Sequence, residues 1–208
     1  MNLKNLFLNH CKVKNLEINV NQITTIEFIN KFYQDNFNYN YFLGIFSKRE
    51  KLPGFYLQGD VGVGKTMILN FFYENFNQSK HRLHFNEFMI SFHHFIFQNK
   101  NSKKDNIIDK FVLNLKKKYK LIYFDEFQVT NIVDAMILGS LFKKIFDENI
   151  KVIFSSNVKI NDLYKDGLQR EQFIPFIKIL KKKCFEQTLI IKEDYRKSQN
   201  KSNDKYLY

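Results

Sequence analysis

The chain has 208 residues, 44% of them hydrophobic and 26% charged, enough apolar material for one core, which excludes a disordered tail protein or a fibrous repeat. Seven glycines and two prolines are too few for a loop-rich β-sandwich, and no apolar run approaches the roughly eighteen residues of a membrane span. The formal charge of +12 suggests an anionic partner, yet the excess lies in residues 100–120 and 178–208, and the stretch between them is net acidic. Crowding with Lys, Asn, Ile, Phe and Tyr, whose codons are A/T-rich, accounts for much of the lysine. Only four of the 33 basic residues are arginine, at Arg49, Arg82, Arg170 and Arg196, which makes each a candidate for a position that needs the planar fork of the guanidinium. The N-terminus has no apolar stretch followed by small residues, and Cys11 and Cys184 stand far apart without a CxxC pattern. Two unbridged thiols in a reducing cytosol are expected.

In chain order, Ile23, Ile26, Phe28, Ile29, Phe32 and Tyr33 repeat at helical spacing within an N-terminal helical segment, residues 1–50, that closes on a polar loop and the charged turn SKRE. The texture changes at Leu52, where a core unit over 51–196 begins. Gly54–Leu57 reads as a short buried strand, followed by a glycine-rich loop at Gly59–Thr66 and a helix marked by Ile68, Leu69, Phe72 and Phe76. Arg82–Phe85 reads as a strand, FMISFHHFIF as a helix, and Ile107, Ile108, Phe111, Val112 and Leu115 as the apolar stripe of another. A strand Leu121–Phe124 ends in Asp125 and Glu126, a helix covers Ile132–Phe146, and a strand covers Lys151–Asn157. Pro175 falls in the apolar helix FIPFIKIL, Phe185–Ile191 alternates as a last strand, and residues 197–208 form a polar tail. Strands alternating with helices at this spacing predict a parallel sheet covered on both faces.

Gly59, Asp60, Val61, Gly62, Val63, Gly64, Lys65 and Thr66 match GxxxxGK[ST], with the strand before and the helix after that the motif requires. Backbone N–H groups of such a loop wrap phosphates, Lys65 adds a point charge to the β and γ phosphates, and Thr66 offers a hydroxyl to Mg²⁺. Two adjacent carboxylates end the apolar strand Leu121–Phe124: Asp125 is placed to hold Mg²⁺ through water, and Glu126 to orient or deprotonate the attacking water. Asn157, at the tip of a neighbouring strand, is either a sensor of the γ-phosphate or a turn residue. Arg170, after the break at Gly167, is either a finger reaching the nucleotide of the next subunit in a ring or an intrachain arginine. His93 and His94 are expected to pack rather than bind metal, and Lys116–Lys118 and Lys181–Lys183 to lie on solvated helix faces.

GFYLQGDVGVGKT, HRLHFNEFM, LIYFDEFQVTNIVDAMILGSLF, IFSSNV, LYKDGLQREQFIPFI and DYR, in this order over residues 54–196, resemble the ZapE cell-division ATPase family, relatives of the mitochondrial ATPase-family-gene-one proteins within the AAA+ class. The resemblance implies an α/β, three-layer P-loop NTPase of AAA+ type with a parallel sheet, and a Mg²⁺-dependent ATPase. Bacterial members of that family are associated with the division ring protein FtsZ at the inner face of the membrane, and mitochondrial members with the fate of inner-membrane proteins. The resemblance therefore implies ATP and Mg²⁺ as cofactors, a homo-oligomeric ring, and a protein client in the cytoplasm or at the membrane's inner face. It also assigns the phosphate loop to Gly59–Thr66, the metal to Thr66 and Asp125, and catalytic roles to Glu126, Asn157 and Arg170. The sequence departs from the family at Gln58 (usually Trp), Val63 (usually Arg) and Asn131 (usually Asp), and it stops at Tyr208, before the segment that supplies the family's lid. Two rival functions stay open at this point. One is a helicase-loader-like ATPase that uses the basic stretches on nucleic acid, and the other a nucleotide-gated adaptor without catalysis.

Overall fold

A computed structural model describes residues 3–37, 51–99 and 104–190 of the chain. The SKRE turn, Arg49, Arg196, Ile191 and the polar tail lie outside the described residues. The described residues form five strands, of which the first, third and fourth are largely apolar runs: β1 (Gly54–Gln58), β2 (Lys80–His84), β3 (Leu121–Asp125), β4 (Lys151–Ser156) and β5 (Cys184–Thr188). Every residue of β1, β3 and β4 is buried, as expected for strands covered on both faces. The sheet is wholly parallel in the order β2-β3-β4-β1-β5. The helices are α1 (Leu3–Val13), α2 (Val20–Phe37), α3 (Lys65–Asn75), α4 (Phe85–Gln98), α5 (Lys104–Lys118), α6 (Ile132–Asp147) and α7 (Arg170–Lys183).

Alternation along the strands splits the core in two. Phe55, Leu57, Leu121, Tyr123 and Ile153 face one side, where they pack with residues of α1, α2 and α3. Tyr56, Ile122, Phe124, Val152 and Phe154 face the other, under α4 to α7. Phe127 lies at the heart of that second layer, with its ring 4.8 Å from Phe154 and 4.6 Å from Phe85.

The largest differences from the sequence reading are at one helix and two strands. Helix α1 escapes it because its buried Leu3, Phe7 and Cys11 are interrupted by Asn, Lys and His. Strand β2 starts at Lys80 and stops at His84, since Glu87 Oε2 accepts from the His84 backbone N–H at 3.1 Å and opens α4 at Phe85. Strand β5 stops at Thr188 because its partner β1 ends at Gln58, and the last rung is the Leu189 N–H donating to Gln58 O at 2.8 Å. Cys11 and Cys184 are both free and buried, and burial pushes both thiols up.

Candidate functional site

In a parallel sheet all strands end on the same edge, and here β4 lies between β1 and β3. The loop after β1, the carboxylates after β3 and the residue after β4 are thereby brought to one place. Gly62 and Gly64 have φ of 91° and 92°, a region costly for side chains, and α3 begins directly after them at Lys65. The first N–H groups of α3 have no intrahelical acceptor and, with the aligned peptide dipoles, favour an anion at this end. The Lys65 ammonium is buried and donates to Gly59 O at 2.6 Å, Asp60 O at 2.8 Å and Asn157 Oδ1 at 2.8 Å. Burial lowers its pKa from the ordinary lysine value, against the charges of Asp60 and Asp125, which raise it. A cleft of about 300 Å³ opens here, lined among others by Gly64, Lys65, Thr66, Glu126, Ser155 and Asn157.

The two carboxylates adopt opposite environments. The Asp125 side chain is 6% exposed: Oδ2 accepts from Arg82 Nη2, and Oδ1 accepts from the Tyr123 hydroxyl and from the Glu126 N–H, both at 3.1 Å. The Glu126 side chain is 75% exposed at the mouth of the cleft, 3.8 Å from His84 Nδ1. Glu126 has a φ of 50°, an uncommon conformation for a glutamate, and it is fixed from both sides. Its own N–H bonds Asp125, and the next N–H, of Phe127, donates to Ser155 O at 2.7 Å while the Phe127 ring anchors in the core. Ser156 completes the brace by donating its hydroxyl to Phe127 O at 2.7 Å.

Of the sequence candidates, the structure gathers Val61, Gly62, Gly64, Lys65, Thr66, Glu126 and Asn157 along the cleft. Gly59 and Asp60 join through their carbonyls on Lys65, the Val63 side chain is buried, and Asp125 sits behind Glu126, turned toward Arg82. Arg170 is not among the residues lining the cleft. It opens α7 and donates from Nη2 to Asn161 O at 2.6 Å, while its Nε is buried without a partner among the described residues. His93 is tied to α6 through Asp134 Oδ1 at 2.7 Å, and Lys116 is paired with Glu148 at 2.8 Å. No cluster of His, Cys, Asp or Glu suited to a metal occurs among the described residues. Sequence reasoning missed Gln22, buried on α2 with its amide donating to Val63 O at 3.4 Å, and the bracing role of Ser155 and Ser156. Neither carries a local signal, because both act only across the fold.

The residues present suit a nucleoside triphosphate with Mg²⁺. Helix-terminal amides and a buried lysine face a cleft, and the Lys65 ammonium satisfies itself on loop carbonyls where an anion would fit. Thr66, whose hydroxyl bonds no group among the described residues, and Asp125 are hard oxygen donors, the class that Mg²⁺ takes together with phosphate oxygens and water.

Comparisons with known proteins agree with this geometry. The AFG1-like ATPase family model matches residues 11–208. Over 153 residues the chain is 36% identical to the cell division protein ZapE of Escherichia coli, covering 72% of this chain and 40% of that protein. Over 172 residues it is 38% identical to lactation elevated protein 1 homolog B of Danio rerio, covering 78% and 34%. The chain thus spans well under half the length of these relatives. Among solved structures, the fold is shared with DnaI (TM-score 0.53, 16% identity, 86% of this chain and 87% of that one). It is shared as well with DnaA of Aquifex aeolicus bound to AMPPCP (TM-score 0.54, 15% identity, 94% and 56%). These place the sheet in the P-loop AAA+ fold.

Proposed function

The chain belongs to the AFG1-like ATPase family, and we propose that it binds ATP with Mg²⁺ and hydrolyses it to drive the remodelling of a protein client in cell division or at a membrane. The observation that carries this reading is the convergence of Lys65, Thr66, Glu126 and Asn157 on one cleft at the start of α3. Bound Mg²⁺ would supply a Lewis acid that neutralises charge on the phosphate oxygens. Thr66 and Asp125 are the residues that would hold it. The loop amides and Lys65 bind the phosphates, and Lys65 exchanges the Gly59 and Asp60 carbonyls for phosphate oxygens as it does so. Glu126, exposed at the cleft mouth, orients a water for in-line attack and accepts its proton. Asn157, bonded to Lys65 in this structure, reports on the γ-phosphate position. Arg170 lies outside its own cleft and serves the neighbouring subunit of a ring, where a guanidinium stabilises transition-state charge. A protein client is favoured over nucleic acid because the named bacterial relative is a cell division protein and because Lys116, in the basic stretch, is already paired with Glu148. No described helix is long and apolar enough to cross a membrane.

Phosphate release by the unaltered chain and by Glu126→Gln tests the reading. The variant is expected to bind ATP within about threefold of the parent and to turn it over at least about 100-fold more slowly. No turnover in the parent removes hydrolysis and leaves the adaptor, whereas full turnover in the variant removes Glu126 from its role. Sedimentation with and without ATP checks the ring, and a monomer in both states withdraws the role of Arg170 in trans.

A further inference from the structure

Asp125 lies behind the cleft rather than in its wall, with both carboxylate oxygens engaged, and the cation that engages it comes from the edge strand β2. In the register Arg82 is opposite Tyr123 and His84 opposite Asp125, so Lys80, Arg82 and His84 share the sheet face of Leu121, Tyr123 and Asp125. The Arg82 guanidinium lies 5.2 Å over the Tyr123 ring and reaches one residue-pair further to donate to Asp125 Oδ2. The Tyr123 ring packs at 6.2 Å on Tyr73 of α3, and Lys80 sits 4.5 Å over that same Tyr73 ring. Lys80 also donates to the carbonyls of Tyr73 and, at 2.7 Å, Phe76, at the C-terminal end of α3. One edge strand therefore holds the far end of the helix that begins at Lys65 and Thr66 and, two residues on, the carboxylate opposite that helix's start. Among the described residues no other cationic side chain hydrogen-bonds Asp125, since Lys65 is committed to Gly59, Asp60 and Asn157.

With Oδ2 on Arg82 and Oδ1 on the Tyr123 hydroxyl and the Glu126 N–H, the Asp125 carboxylate cannot rotate freely, and Oδ1 keeps a fixed direction. The planar guanidinium, stacked on Tyr123, supplies that hold with a geometry a flexible ammonium does not reproduce. Its retention in a chain that uses arginine only four times fits that need. We propose that Arg82 is a positioning residue for the metal site: it grips Asp125 by Oδ2 and so sets, from the edge of the sheet, how well the other oxygen serves a nucleotide-bound Mg²⁺. The proposal rests on the assignment of Asp125 to the metal. Arg82 itself is not among the residues lining the cleft.

The test titrates a fluorescent methylanthraniloyl-ATP onto the full chain in EDTA and then across a MgCl₂ series, for the parent, Arg82→Met, Arg82→Lys and Asp125→Asn. Affinity in EDTA is expected to stay within about twofold of the parent in Arg82→Met, while the Mg²⁺ concentration for half-maximal enhancement rises roughly tenfold. Arg82→Lys keeps the charge without the fork and is expected to share most of that shift; a melting curve by circular dichroism confirms that each variant is folded. If Arg82→Met does not fold, Arg82→Lys carries the test, with a shift of about threefold or more supporting the role and parental Mg²⁺ dependence overturning it. A loss of affinity that is equal in EDTA and in Mg²⁺ also overturns it, because Arg82 would then act on the nucleotide site or the fold as a whole. Asp125→Asn separates the two levels. If it leaves the Mg²⁺ enhancement intact, or if the parent shows none, the metal assignment falls and the proposal with it. If it abolishes the enhancement while the Arg82 variants keep parental dependence, only the role of Arg82 falls.

Discussion

Lys65 and Lys151 are both buried lysines, at opposite edges of the same sheet, and their surroundings differ in sign. Lys65, on the edge where β1 ends, has burial working against its charge while Asp60 and Asp125 support it. Lys151, at the start of β4, has burial and the neighbouring Lys51 both working against its charge, and its pKa is pushed down to about 8. Its ammonium rests on the neutral Asn149 side chain. Burial of a lysine is thus no functional signal by itself. What distinguishes Lys65 is the pair of loop carbonyls that accept from its ammonium and the charges of Asp60 and Asp125 that support it.

The contrast breaks most readily at Lys65. Lys65→Ala is expected to weaken ATP binding by about 100- to 1,000-fold, about 3–4 kcal/mol, and calorimetric titration that returns parental affinity would refute the loop assignment. The opposite edge should answer to pH instead. The folded value of Lys151 lies below the unfolded 10.5, so between pH 8 and 10.5 the unfolded chain holds more protons at this site. Stability therefore rises with pH across that window, by up to about 3 kcal/mol, and is flat from this source below pH 8. Lys151→Met should remove the rise without touching ATP affinity. Urea denaturation of parent and variant at pH 7.5, 9 and 10 measures the difference, and parallel curves would show that Lys151 is better solvated than its burial indicates. The smallest effect is expected at Asn157. Asn157→Ala should slow turnover about tenfold, about 1.4 kcal/mol, with binding little changed, and an unaltered rate would reduce Asn157 to a resting partner for Lys65.

Much of the site can be read from the chain because its parts are local. Strand, glycine loop and helix are consecutive, so the phosphate loop declares itself in eight residues, and two carboxylates ending an apolar strand are nearly as plain. Helix α1 and the switch at His84 and Phe85 were not legible, the first because polar residues interrupt its stripe, the second because a single side-chain to backbone bond from Glu87 decides it. Arg82 was noticed only for its rarity. Its partner Asp125 belongs to another strand, and nothing local in HRLHF announces the pairing. The left-handed Glu126 is likewise invisible in sequence, since its backbone is set by Ser155, Ser156 and the buried ring of Phe127.

The sequence alone determined the alternation of elements and the chemistry of the phosphate loop, because hydrophobic periodicity and glycine spacing act over a few residues. Only the tertiary structure decided which strand lies between which. Placing β4 between β1 and β3 puts Asn157 on Lys65 and Ser156 under Phe127, and placing β2 on the edge gives Asp125 its arginine. Those contacts join residues far apart in the chain, and the order of parallel strands follows from how two apolar faces and the described helices pack together, which no local pattern encodes.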